Sequence, residues 1–179
     1  MSTGGGVMKI LVTYYSKTGN TKQIAEAICE ALAGEEPAIM PLGEVENPGE
    51  YALIFCGFPV HAHSVPVPVH DFIKNIPGGV NLALFSTHGA HRASHMAKEA
   101  IHHATSLAKN TKVLGSFTCR GKVETQILES LDTKPEHRAW VHEARSAHPH
   151  PDKADLEDAQ VFARDMLKRA MPFEDFHKK

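Results

Sequence analysis

The densest set of chemically capable side chains in this sequence is Ser16-Lys17-Thr18-Gly19-Asn20-Thr21. The hydroxyls and the amide can all donate hydrogen bonds, and the glycine lets backbone approach a ligand with no Cβ in the way. The segment lies between an apolar, β-branched run, Met8 to Tyr14, and an amphipathic one in which Ile24, Ile28 and Leu32 recur at helical spacing. A strand that passes into a helix through such a loop leaves backbone N–H groups unpaired at the helix start, where the helix dipole also favours negative charge. An ordinary helix cap needs one such residue; four within six positions point to an anion site.

What the loop lacks narrows the anion. It has neither the lysine and spacing of a triphosphate loop nor the three glycines of a dinucleotide fingerprint. Tyr14 and Tyr15 stand where a phosphoacceptor domain would carry paired acids for magnesium. A monophosphate remains. Two further polar segments close apolar runs: Phe58-Pro59-Val60-His61 follows Tyr51 to Gly57, and Thr87-His88-Gly89-Ala90 ends the run that begins at Val80.

Ser16, Thr18, Gly19 and Thr21 meet the pattern Ser/Thr-x-Thr-Gly-x-Thr, which resembles the phosphate loop of the flavodoxin-like family. Gly57 to His61 is similar to the loop after the third strand in small flavoproteins and flavin-dependent quinone reductases, and Ser86 to Ala90 to the loop after the fourth. The resemblance covers Lys9 to Leu167 and implies one FMN, bound non-covalently, with its phosphate on Ser16 to Thr21 and its ring between the two later loops. A flavin ring needs an apolar or aromatic wall and backbone groups at its polar edge. Phe58 and His61 are the planar residues available there, Val60 is filler beside the stiff Pro59, and Thr87, Gly89 and Ala90 offer main-chain contacts. Phe58 has a second reading, as a core residue capping the third strand. Neither flanking loop carries a tryptophan or tyrosine, a departure from the electron-carrier members.

Thirteen histidines are many for 179 residues. The spacings of His61 with His63 and of His91 with His95 suit a metal, but no acid or cysteine in the same segments completes a site, so no metal is expected. Beside a flavin, His61, His63 or His88 would hydrogen-bond the ring when neutral and stabilise a reduced, anionic ring when protonated.

The elements that must position these loops alternate as strand, helix, strand, strand, helix, strand, helix, strand, helix. Crossovers of this length imply parallel pairing with helices on both faces, hence an α/β three-layer sandwich around a five-stranded sheet of order 2-1-3-4-5. That order brings the three loops to one crevice, where the winding reverses. Prolines at 37 and 41 put the second strand at an edge. The chain divides into a flexible leader over 1–7, one flavodoxin-like domain over 8–171 and a tail over 172–179. Within the domain, 119–151 is an extended connection with two short helical stretches, Trp140, and a rigid His-Pro-His-Pro lead into the last helix. Two roles suit it: a cover over the flavin rim with Arg120 and Lys122 facing an anionic substrate, or a connection packed on the core by Trp140.

Composition limits the partners. A net charge of -2 argues against nucleic acid or a membrane surface, and three cysteines are poor material for a disulfide framework. With no export segment expected at the start, the sequence points to the cytoplasm. The resemblance implies an electron carrier with a protein redox partner; the alternatives are a flavin-dependent NAD(P)H reductase of a small substrate such as a quinone, and a flavin-free binding module. A homodimer is left open.

Overall fold

The computed structural model describes residues 8–90 and 95–171; the leader, His91 and the tail lie outside them. The short apolar runs form β1 (Ile10–Tyr14), β2 (Ala38–Pro41), β3 (Leu53–Pro59), β4 (Asn81–His88) and β5 (Lys112–Arg120). All neighbours pair in parallel in the order 2-1-3-4-5. Pro41 closes β2 at the sheet edge, where its missing N–H costs no ladder bond.

Alternation along the strands sorts the core into two layers. Ile10, Val12, Leu53, Phe55 and Phe85 face α1 (Asn20–Ala31) and α6 (Lys153–Ala170), meeting Ile24, Ile28, Ala159 and Ala163. Leu11, Ile54, Cys56, Phe58 and Leu84 face α2 (Val67–Asn75) and α3 (His95–Leu107), against Val69, Ile73, Ala100 and Ala104. Each large side chain fully buried in this way contributes about 1.5–3 kcal/mol relative to exposure.

β3 runs two residues beyond the end expected at Gly57, pairing Phe58 with Ser86 and Pro59 with Thr87. The proline is tolerated as the last strand residue, and the next donor, Val60 N–H, bonds the Thr87 carbonyl at 2.9 Å. Strand alternation then aims Phe58 into the α2–α3 layer, where it is 0% exposed. Its assignment as a ring wall is therefore corrected: the side chain belongs to the core.

The connection after β5 folds into α4 (Thr125–Asp132) and α5 (Arg138–Arg145), joined by a short turn. These two helices have a small core of their own, Leu128, Val141 and Ala144, with Val123, Leu131 and Trp140 packed on it. An Arg145–Asp132 ion pair at 2.8 Å ties their ends. The last helix opens on a reciprocal cap: Asp155 N–H donates to Asp152 Oδ1 and Asp152 N–H to Asp155 Oδ2, both at 3.0 Å. No helix among the described residues is long and apolar enough to cross a membrane.

Candidate functional site

The carboxyl ends of β1, β3 and β4 converge because the winding reverses between β1 and β3. After β1, Gly19 sits at φ 91°, in the left-handed region that glycine adopts without strain. Ser16 Oγ accepts the Gly19 N–H at 3.1 Å, and the first intrahelical bond runs from Gln23 N–H to the Gly19 carbonyl. No side chain caps α1 and no acid stands in its first turn. The leading N–H groups of the helix thus face a position suited to an anion, with Lys17 beside them.

Two expected phosphate donors turn out to have structural bonds. Thr21 is buried, and its hydroxyl lies 2.9 Å from that of Thr87, tying α1 to β4. Asn20 donates its amide to the Lys122 carbonyl at 2.8 Å, tying the loop to the segment after β5.

A cavity of about 430 Å³ starts at Lys17, Thr18 and Asn20 and continues between Pro59, Val60, His61 and Ala62 on one side and Thr87, His88 and Gly89 on the other. Its remaining wall is Gly121 to Glu124, Ile127 and Trp140, from the connection and its two helices. Phe58 and Ala90 do not reach it; the Ala90 carbonyl instead accepts from His88 Nδ1 at 2.9 Å. A larger open groove of about 660 Å³ runs along β5 and α6, and none of the three loops lines it.

His61 meets the cavity with its pKa pulled below the ordinary histidine value, first by burial and then by the Lys17 charge. Near neutral pH it is a neutral imidazole, a donor or acceptor and not a cation. The loop behind it is fixed by paired backbone bonds between His61 and Ser64, at 3.0 and 2.8 Å, while Ala62 and His63 take left-handed φ values of 45° and 63°. Side chains then fasten it to α3: His63 Nδ1 meets Glu99 Oε2 and Ser64 Oγ meets His103 Nδ1, each at 2.8 Å. His63 is thus turned to α3, away from the flavin role expected for it.

Glu99 also pairs with His95 at 3.0 Å, and the hydrogen bond from His63 is the main cause holding its carboxyl below the usual range. Glu99 stands one helical turn beyond His95, and the fold also brings it to His63, so an acid does lie beside two of these histidines, against the expectation that the segments lack one. The His91–His95 pairing cannot be placed, since His91 lies outside the described residues. Among the described residues, the three-ligand cluster with metal-like spacing is His150, Asp152 and Asp155; its groups make the α6 cap and a 2.6 Å His150–Asp155 bond.

Arg120 does not face the cavity. Its guanidinium donates to the Glu143 carbonyl and to Ser146 Oγ, both at 2.8 Å, clamping the carboxyl end of α5, where helix carbonyls lack partners. Lys122 does reach the cavity. Trp140, the single tryptophan of the chain, reaches it too, and nothing local in the sequence signals this, because it stands some fifty positions from the loop after β4.

Comparison with known proteins agrees with this architecture. Residues 11–164 match the family model described as a flavodoxin domain. The flavodoxin-like domain-containing protein BilS of Clostridioides difficile (strain CD3) is 30% identical over 175 residues, covering 91% of this chain and 98% of that protein. Oxidised flavodoxin 2 from Bacillus cereus superposes with a TM-score of 0.62 at 19% identity, over 90% of this chain and 99% of its own. A flavoprotein in complex with FMN from Lactobacillus acidophilus NCFM gives 0.51 at 20% identity, over 62% and 93%.

Proposed function

This chain belongs to the flavodoxin domain family, and from that premise we propose that it binds one FMN non-covalently and passes electrons to a protein redox partner. One observation carries the proposal: a single continuous cavity joins an uncapped, acid-free helix start to the two loops at the ends of β3 and β4. Its volume of about 430 Å³ lies within the range of cofactor sites. The FMN bound by the Lactobacillus acidophilus flavoprotein, on the same fold, supports the choice of ligand.

When bound, FMN supplies one- and two-electron redox chemistry. The protein's part is to bind and to orient. Ser16, Lys17 and Thr18, with the first backbone donors of α1, hold the phosphate; the Thr21–Thr87 pair and the Asn20–Lys122 bond keep that loop in register with the ring side. Val60 excludes water from one side, while neutral His61 offers a hydrogen bond to the ring's polar edge without adding charge. The reading places the protein in the cytoplasm, in keeping with its three free cysteines.

Perturbed flavin absorbance on mixing the apoprotein with FMN is the expected result; an unperturbed spectrum refutes the proposal. The walled cavity also favours a second reading, a flavin-dependent NAD(P)H reductase of a small substrate such as a quinone. Anaerobic addition of NADH or NADPH separates the two, since rapid bleaching without a partner protein would eliminate the carrier.

A further inference from the structure

We infer that the α4–α5 helical pair is a cap whose Trp140 forms the aromatic wall of the flavin ring, the part that neither flanking loop supplies; the inference rests on FMN binding as proposed above. Three observations lead to it. The first is chemical: with Phe58 buried in the core, the two loops line the cavity with Pro59, Val60, Ala62, Thr87, Gly89 and the imidazoles of His61 and His88, none of them a large aromatic face, and a flat conjugated ligand gains most from such a face.

The second is placement. Trp140 is half-buried, lines the same cavity as Val60 and His61, and leans on the loop after β4 at Gly89. A Cβ placed on Gly89 would lie 3.6 Å from the indole Cζ2, 3.5 Å from Ala144 Cβ and only 2.4 Å from Val123 Cγ2. The glycine is therefore the seat into which the cap closes. The indole N–H is buried without a hydrogen-bond partner among the described residues, so its donor contributes nothing to the fold. The apolar ring face is what the position uses.

The third is rigidity. Arg120 clamps α5 from the end of β5, Arg145 joins α5 to α4, and the Lys122 carbonyl holds Asn20 of the phosphate loop. The cap is thereby tied both to the sheet and to the loop at the other end of the cavity. A wall fixed at two points is preorganised for a rigid ligand.

The test uses the full-length apoprotein titrated with FMN, exciting the flavin in its visible band so that energy transfer from tryptophan plays no part. Contact with an indole quenches flavin emission by electron transfer. Bound wild-type FMN should be nearly dark. Trp140→Leu should restore emission several-fold and weaken the dissociation constant about five- to tenfold. Trp140→Phe keeps the packing and a flat wall, so it should keep most of the affinity while emission rises; it also serves if the leucine variant loses its far-UV circular dichroism. Flavin that binds both variants as tightly as wild type and is equally dark overturns this inference alone. Wild-type protein that binds no FMN at all overturns the proposed function, and the inference with it.

Discussion

The two ends of the cavity are built in opposite ways. The end proposed to take the phosphate is one strand, one loop and one helix, contiguous from Ile10 to Ala31, and the donors it offers are mostly backbone groups placed by the helix itself. The ring end is assembled from three segments, Pro59 to Ala62, Thr87 to Gly89 and the connection from Gly121 to Trp140, and its character comes from side chains held by tertiary contacts. A backbone site tolerates changes of side chain but not of charge or φ. A side-chain site fails when its supports move.

The largest effect should therefore come from charge at the phosphate end. Thr18→Glu puts a carboxylate where the phosphate would sit, and like charges brought together cost several kcal/mol, enough to weaken FMN about a hundredfold or more. Titration calorimetry measures it, and affinity near wild type would remove the phosphate from this loop.

Alanine at two glycines sharpens the contrast, because it acts through different physics at each end. Gly89→Ala forces a Cβ to 2.4 Å from Val123 Cγ2, an overpacking worth about 1–3 kcal/mol of stability. The strain falls on the cap, so protease cutting within 121–148 should speed up while the phosphate loop keeps its affinity for a simple phosphate ester. Gly19→Ala meets no atom within 4 Å; its cost, about 1–2 kcal/mol, comes only from holding alanine at φ 91°. Chemical denaturation should show both losses, and equal protease sensitivity in the two variants would erase the distinction.

The same contrast explains what the sequence makes legible. Sheet order, the helix faces and the loop at Ser16 to Thr21 are written in local periodicity and turn chemistry, so they can be read from neighbours in the chain. The two helical stretches of the connection are legible for the same reason. Phe58 is misplaced because the apolar run reads as ending at Gly57, whereas β4 carries the pairing on through Pro59. Arg120 reads as a free cation, and only the fold shows α5 ending beside it. The connection is read with two roles, a cover over the flavin rim or a segment packed on the core by Trp140, and no local pattern encodes the contacts of Trp140 with Gly89 and the cavity.

A smaller effect is expected at that clamp. Arg120→Met removes the guanidinium's hydrogen bonds to the end of α5, the two at 2.8 Å and a longer one to the Ser146 carbonyl, and its 3.5 Å bond to the Gly89 carbonyl, for about 1 kcal/mol given the partial exposure of the site. Its signature is regional: amide exchange should accelerate in Arg138–Arg145 and leave α1 unchanged. Uniform acceleration across the sheet would mean that the cap is continuous with the main core.

The smallest effect tests whether the two ends sense each other. His61 belongs to the ring end and Lys17 to the phosphate end, yet the Lys17 charge helps to lower the His61 pKa. Lys17→Gln removes that contribution and leaves burial, the larger cause, so the imidazole pKa should rise toward the ordinary histidine value without reaching it. The linked stability follows in sign. Because the folded value is depressed, His61 contributes fully above the ordinary histidine pKa, and its contribution fades as pH falls through the folded value; the lysine variant should show a shallower acid loss. A phosphate bound beside Lys17 offsets the same charge and should move His61 in the same direction. Histidine ring proton shifts followed by NMR against pH resolve both changes, and a His61 titration indifferent to Lys17 and to phosphate would show the two ends to be electrostatically independent.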